Sequence, residues 1–187
     1  MNEKSTDKLF IDCEFTGLVK NAELISLCLY HDDDRYFYAE FRDYSEEMLT
    51  AWHYENVISK LYYRDSAETT QEAGAVTRMK GSRENVTVKL KEWLGQFDNI
   101  EIWGDVPAYD WVLFCDLFGG ALNIPKQIHY ICGDIATLLI AKGVDKDIRR
   151  AEFVMEMLNE KKNEQHNALF DALVTKRCYE KLTTADE

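Results

Sequence analysis

Two carboxylates stand where a strand would ordinarily carry apolar side chains. Residues 9–18 read LFIDCEFTGL, which sets Asp12 and Glu14 two positions apart in an apolar run. Side chains alternate faces along a strand, so both carboxylates leave the same face. The rise per residue puts them roughly 7 Å apart along it. Like charges flanked by Leu9, Phe10 and Ile11 are costly unless something positive compensates them. A hard divalent cation, which prefers oxygen ligands, is the natural compensation.

Three further residues join this pair. Asp110 lies in WGDVPAYDWVLF, residues 103–114, where helical spacing puts it on one stripe with Leu113, Phe114 and Leu117. An acid on an apolar stripe is harder to explain than one on a wet face. Asp105, close by, could serve as a helix cap. His166 and Asp171 lie in HNALFDA, residues 166–172. Asn167 suits the cap of the last helix, which leaves His166 in the loop before it. On a regular helix their five-residue spacing separates the two by about 140°. Different roles are therefore expected of them, rather than joint ligation of one ion.

The elements that must position these residues can be read from periodicity and punctuation. Strands are expected at Leu9–Glu14, Glu23–Tyr30 and Arg35–Phe41, with His31 to Asp34 as a hairpin turn. A short helix is expected at Ser45–Trp52, and helical pieces in 54–79. Ser82 caps a helix to about Phe97, with Val86, Leu90, Trp93, Leu94 and Phe97 on one stripe. A short strand at Ile100–Trp103 precedes a helix entered at Pro107 and ending near Phe118. Then come a strand at Ile128–Cys132, a helix from Asp134 to about Gly143, a helix over Asp147–Leu158, and the last from Asn167 to about Leu182. This order predicts an α/β three-layer fold with a mixed central sheet flanked by helices, antiparallel over its first three strands and parallel thereafter.

Composition narrows the function classes. The 187 residues, 46% hydrophobic and 12% aromatic, suit a single domain over 1–187, with 1–7 and 183–187 as flexible tails. No run of about 18 apolar residues is present, and no apolar leader opens the chain, so no membrane role is expected. Five cysteines without a CxxC pair suit buried thiols and a cytoplasmic setting. A net charge of −12 argues against a long groove for duplex nucleic acid. It is compatible with a nuclease that grips a few terminal nucleotides through bound cations.

Asp12-x-Glu14, then Asp110, then His166-x-Ala168-x-x-Asp171, in that order, resemble the motifs of the DEDDh 3′→5′ exonucleases. The resemblance spans most of the chain and implies a ribonuclease H-like fold. EFTGL, residues 14–18, further resembles the small exoribonucleases of the oligoribonuclease and exoribonuclease AS type. The resemblance implies two Mg²⁺ or Mn²⁺ ions about 3.5–4 Å apart flanking the scissile phosphate. Asp12 would bridge them, Glu14 and Asp171 would complete one shell, and Asp110 would hold the other ion mainly through water. His166 would be the general base. Phe15 and Leu18 would lie against the last bases, and backbone groups near Thr16 and Gly17 would hold the 3′ hydroxyl. The implied partner is the 3′ end of RNA, with release of nucleoside 5′-monophosphates. A DNA exonuclease on the same fold is the alternative, as is a non-catalytic nucleic-acid-binding module. A homodimer is implied by analogy. Where many members carry Asn in the second motif, this chain has Asp105.

Other residues have plainer readings. His31 with Asp32, Asp33 and Asp34 is expected to be a solvated turn, and His53 and His129 packing or surface residues. Trp103 and Trp111 are expected in the core. Lys142, Lys146, Arg149 and Arg150 are expected on a solvated helical face.

Overall fold

The computed structural model describes residues 6–74, 76–158 and 164–184. Strands β1 (Asp7–Phe15), β2 (Leu24–His31) and β3 (Tyr36–Phe41) form an antiparallel meander. Helix α1 (Ala51–Asn56) and a 3₁₀ turn at Ile58–Lys60 lead to β4 (Thr69–Ala73) and β5 (Val76–Gly81). Next come α2 (Arg83–Leu94), β6 (Ile100–Gly104), α3 (Ala108–Leu117), β7 (Gly133–Asp134) and α4 (Ile135–Ala141). Short α5 (Arg150–Phe153) and long α6 (Ala168–Thr184) complete the order. The seven strands lie in the order β4-β5-β3-β2-β1-β6-β7. β5 runs parallel to β3, β6 to β1 and β7 to β6, while β4 is antiparallel to β5. The expected mixed α/β sheet, antiparallel first and then mainly parallel, is therefore present.

Alternation along β1 divides its side chains between two layers. Leu9, Ile11 and Cys13 join a core with Val86, Leu90 and Trp93 of α2 and Phe114 of α3. Phe10, on the other face, meets Tyr179 of α6 at a ring separation of 5.5 Å. Asp12 and Glu14 continue that second row toward α6. β2 is apolar almost throughout because helices cover both of its faces.

Some elements differ from expectation, each for a physical reason. The 54–79 segment carries the end of α1 and the 3₁₀ turn, but also β4 and most of β5. β4 reads TTQEA and is largely exposed, so no apolar period marks it; pairing with β5 does. The strand expected at Ile128–Cys132 is reduced to one bridge, Ile100 to Ile128, and regular pairing comes at Gly133–Asp134. The helix expected over Asp147–Leu158 is broken into α5 and a 3₁₀ turn at Met155–Met157. The Arg150 guanidinium takes the carbonyls of Lys146 (2.8 Å) and Ile148 (2.6 Å), which a continuous helix would have given to amides. The helix expected over Ser45–Trp52 is a 3₁₀ turn at Glu46–Met48 followed by α1, which starts at Ala51, where Thr50 and His53 form a capping box. The tails expected at 1–7 and 183–187 lie partly outside the described residues. Asp7, however, already pairs in β1, and Thr183 and Thr184 belong to the last turn of α6.

His31 corrects the expectation of a solvated turn. It is only 3% exposed, stacks on Phe97 at 4.9 Å, and meets Asp33 (2.6 Å), Asp32 (2.8 Å) and Asp7 (3.2 Å). The carboxylates satisfy a buried imidazole. Trp103 packs on Tyr179 and Trp111 on Phe114, both half-buried against the core in which they were expected.

Candidate active site

β1 outruns its neighbour β6, which pairs with it only from Asp7 to Phe10. The far half of β1 therefore has an open edge on that side. There the Cys13 amide donates to Asp110 Oδ1 at 2.8 Å, across 97 residues of sequence. That bond docks the first turn of α3 against the strand carrying Asp12 and Glu14. Gly104 makes the approach possible: a Cβ there would stand 2.7 Å from Pro107 Cβ and 3.1 Å from Ile11 Cγ2. On the other side of β1 the register shifts between Glu14 and Phe15, and β2 skips Ile25. Such an irregularity turns the strand at its end and re-aims the side chains that follow.

Asp171 comes from the first turn of α6. Asn167 caps that helix, its Oδ1 accepting the amides of Leu169 (3.1 Å) and Phe170 (3.3 Å). His166 precedes the cap with φ of +68°, and its amide donates to Asp171 Oδ2 at 2.6 Å. Because His166 lies outside the helix, the 140° separation does not apply. Ligand atoms of Glu14, His166 and Asp171 lie within 4.8 Å of one another. The expectation against joint ligation is thus not a geometric constraint. The His166 ring meets Trp52 of α1 edge-on at 5.0 Å.

A cleft of about 1010 Å³ brings these groups together. Asp12, Glu14, Asp110, His166 and Asp171 all line it, as do Phe15, Gly17 and Leu18. Phe15 stacks on Tyr109 at 5.6 Å, and Leu18 is 72% exposed on the rim. Thr16 turns away into the protein. Its amide donates to the Glu23 carbonyl at 2.9 Å, and its hydroxyl accepts the Glu23 amide at 3.0 Å. Thr16 shapes the turn rather than facing the cleft.

The electrostatics are those of crowded, half-dry carboxylates. Burial, then the charges of Asp171, Glu14, Asp110 and Asp105, push Asp12 well above the usual carboxylate range. Burial first, then Asp171 and Asp110, push Glu14 up to about 8. Burial raises Asp171 to about 7 against the His166 amide and the Lys60 charge. Burial likewise raises Asp110 to about 6, against hydrogen bonds that include the one from Cys13. His166 is held below its ordinary value, chiefly by burial and then by Lys60.

Asp12 tests whether these residues suit a divalent metal. Its Oδ2 is buried and accepts no hydrogen bond among the described residues. A buried carboxylate oxygen without a donor is costly, and so is a cluster of four carboxylates. A cation among them relieves both costs, so the donor set fits a hard metal. Glu14, His166 and Asp171 offer ligand atoms close enough together to hold one, and Asp12 and Asp110 line the same cleft.

Several cleft residues carry weak sequence signals. Asp105 accepts the Arg150 guanidinium at 3.0 and 3.1 Å, so it neither caps α3 nor stands unpaired beside the acids. Arg150 is correspondingly half-buried, unlike a residue on a solvated face, while Arg149 beside it is exposed on the cleft wall. Lys60 and Trp52 escaped the sequence reading altogether. They lie in a stretch of aromatic and aliphatic residues, including the buried Val57 and Ile58, in which nothing marks them as cleft residues.

Fold and site together define a chain with an acidic, metal-compatible cleft at one end of a mixed sheet. The chain belongs to the 3′-5′ exoribonuclease Rv2179c-like domain family, whose sequence profile matches residues 7–183. Two Mycobacterium tuberculosis proteins are similar over nearly their whole length: 3′-5′ exoribonuclease Rv2179c of strain ATCC 25618 / H37Rv and 3′-5′ exoribonuclease MT2234.1 of strain CDC 1551 / Oshkosh. Each is 26% identical over 182 residues, covering 96% of this chain and 95% of the relative. Among solved structures, the Neurospora crassa Pan2 catalytic unit, with protease and nuclease domains, aligns with a TM-score of 0.45 at 14% identity. That alignment covers 99% of this chain and 29% of the other.

Proposed function

We propose that this chain is a metal-dependent 3′→5′ exoribonuclease of the DEDDh type, acting as one domain on single-stranded 3′ ends. The observation that carries the reading is the orphaned Asp12 Oδ2, in a cleft shared with Glu14, Asp110 and Asp171, whose pKa values burial and then neighbouring acids raise. Family membership supports the substrate class and the direction of attack.

Asp12, Glu14 and Asp171 would hold the metal, and Asp110 would support it from α3. When bound, two Mg²⁺ or Mn²⁺ ions supply an activated water and neutralise charge developing on the leaving 3′ oxygen. The chain's own residues do the rest. His166, kept neutral at pH 7 by its lowered pKa, accepts the proton of the attacking water at a ring nitrogen. The water oxygen bonds to phosphorus as the bond between phosphorus and the preceding nucleotide's 3′ oxygen breaks; that oxygen takes a proton from solvent, and a nucleoside 5′-monophosphate leaves. Phe15, propped by Tyr109, and the exposed Leu18 offer apolar surface to the terminal bases. Gly17 leaves the backbone open beside them.

The test is degradation of matched RNA and DNA oligomers labelled at the 5′ end, with Mn²⁺ or Mg²⁺. RNA shortening one nucleotide at a time from the 3′ end is expected, with no activity in EDTA. Asp171→Asn should abolish it while leaving a folded protein. Equal or faster loss of DNA would overturn the RNA preference. Metal-independent release, or full activity in the variant, would overturn the site.

A further inference from the structure

His166 sits in a backbone conformation that its own sequence does not favour. Its φ of +68° lies in the left-handed region, which is unfavourable for a residue with a side chain. Such a conformation persists only where its surroundings over-determine it. Two of the bonds that flank it come from one distant residue. The Lys60 ammonium donates to the carbonyl of Gln165, immediately before His166. The Lys60 carbonyl accepts the side-chain amide of Asn167, immediately after it, at 2.9 Å. Asn167 uses its other side-chain atom to cap α6. Lys60 closes the 3₁₀ turn that follows α1, and α1 carries Trp52, whose ring meets the imidazole. One segment, 51–60, thus holds the histidine loop by ring, backbone and charge.

We propose that Lys60 is a positioning residue, clamping the strained loop so that the His166 ring stands over the acids. The proposal rests on the exonuclease reading for its consequence in turnover, but not for the clamp itself. The Lys60 charge also opposes the upward push on Glu14 and Asp171, so the ammonium sits close enough to be felt by the acids it helps to cover. An error of about 1 Å in a reacting group can cost on the order of 10²-fold in rate.

The experiment compares wild type, Lys60→Met, Lys60→Arg and His166→Ala, with the Lys60→Met, His166→Ala double variant. Each full chain is assayed on a short single-stranded RNA with Mn²⁺. Lys60→Met should lower kcat about 10- to 100-fold with KM unchanged. Lys60→Arg should recover most of the loss, because it keeps a charged donor. In the His166→Ala background, Lys60→Met should have no further effect, since a positioning residue acts only through the group it positions. Independently of turnover, exchange of the His166 amide hydrogen, protected by Asp171, should quicken in Lys60→Met. Unchanged kcat, an equal loss in the His166→Ala background, or a change confined to KM would each overturn the proposal. If wild type itself shows no metal-dependent release, the exonuclease reading fails, and amide exchange alone decides the clamp.

Discussion

Asp12 concentrates the site's physical problem in one side chain. It is half-buried, repelled by Asp171, Glu14, Asp110 and Asp105, and has one buried oxygen with no donor among the described residues. Asp12→Asn removes that charge. It should raise the melting temperature of the metal-free protein while lowering metal-dependent turnover on the order of 10³-fold. Calorimetry beside an oligonucleotide assay checks both, and a metal-free variant less stable than wild type would contradict the repulsion argument. His166 makes a different prediction. Its replacement by Ala should cost on the order of 10²- to 10⁴-fold in kcat. Because its pKa is held below the ordinary 6.5, the acid-side fall in wild-type activity assigned to it should come below that pH. A pH–rate profile on wild type and His166→Ala locates that limb, which should be missing from the variant.

Element placement depends on a few close approaches. Gly104 lets α3 enter against β1, and Gly133 lets β7 pass the Trp103 ring, where a Cβ would stand 2.3 Å from it. Gly104→Ala should therefore destabilise by about 1–3 kcal/mol, because Pro107 and Ile11 must both shift. The shift falls on the turn that feeds Asp110, so kcat should drop with stability. Chemical denaturation with parallel activity measurement tests the coupling; a stability loss with full activity would show that α3 tolerates the displacement. The caps on α2, α4 and α6 were readable from Ser82, Asp134 and Asn167, because a cap is a local bond between residues two or three apart. β4 was not readable, since an exposed polar strand owes its existence to the neighbour it pairs with.

At the scale of the whole molecule, the acids couple folding to pH and metal. Glu14, Asp171 and Asp110 have folded-state values of about 8, 7 and 6, all above the ordinary range near 4 in the unfolded chain. The folded protein then binds more protons between those limits, so its stability from these groups is present below about pH 4 and lost as pH rises to about 8. Bound metal replaces the protons and should offset the loss. Millimolar Mg²⁺ or Mn²⁺ at a hundred times its dissociation constant adds about 2.7 kcal/mol, or about 5–10 °C in melting temperature. The gain should be larger at pH 8 than at pH 6, because ligation needs deprotonated carboxylates. A melting curve indifferent to metal at both pH values would sink this account. No helix among the described residues is long and apolar enough to cross a membrane.

The sequence by itself determined the order of the acids, the alternation that puts Asp12 and Glu14 on one face, and the caps and apolar stripes of the main helices. The order is the sequence itself, and the rest is encoded by residues within a turn or two of one another. Only the tertiary structure decided that Asp110 bonds the Cys13 amide, that Asp105 is taken by Arg150, that Thr16 faces inward, and that Lys60 reaches both sides of His166. The long-range pairs among these join residues 97, 45, 105 and 107 positions apart. No local period or spacing records such pairs, because the partners meet only once the sheet and its helices have closed around them.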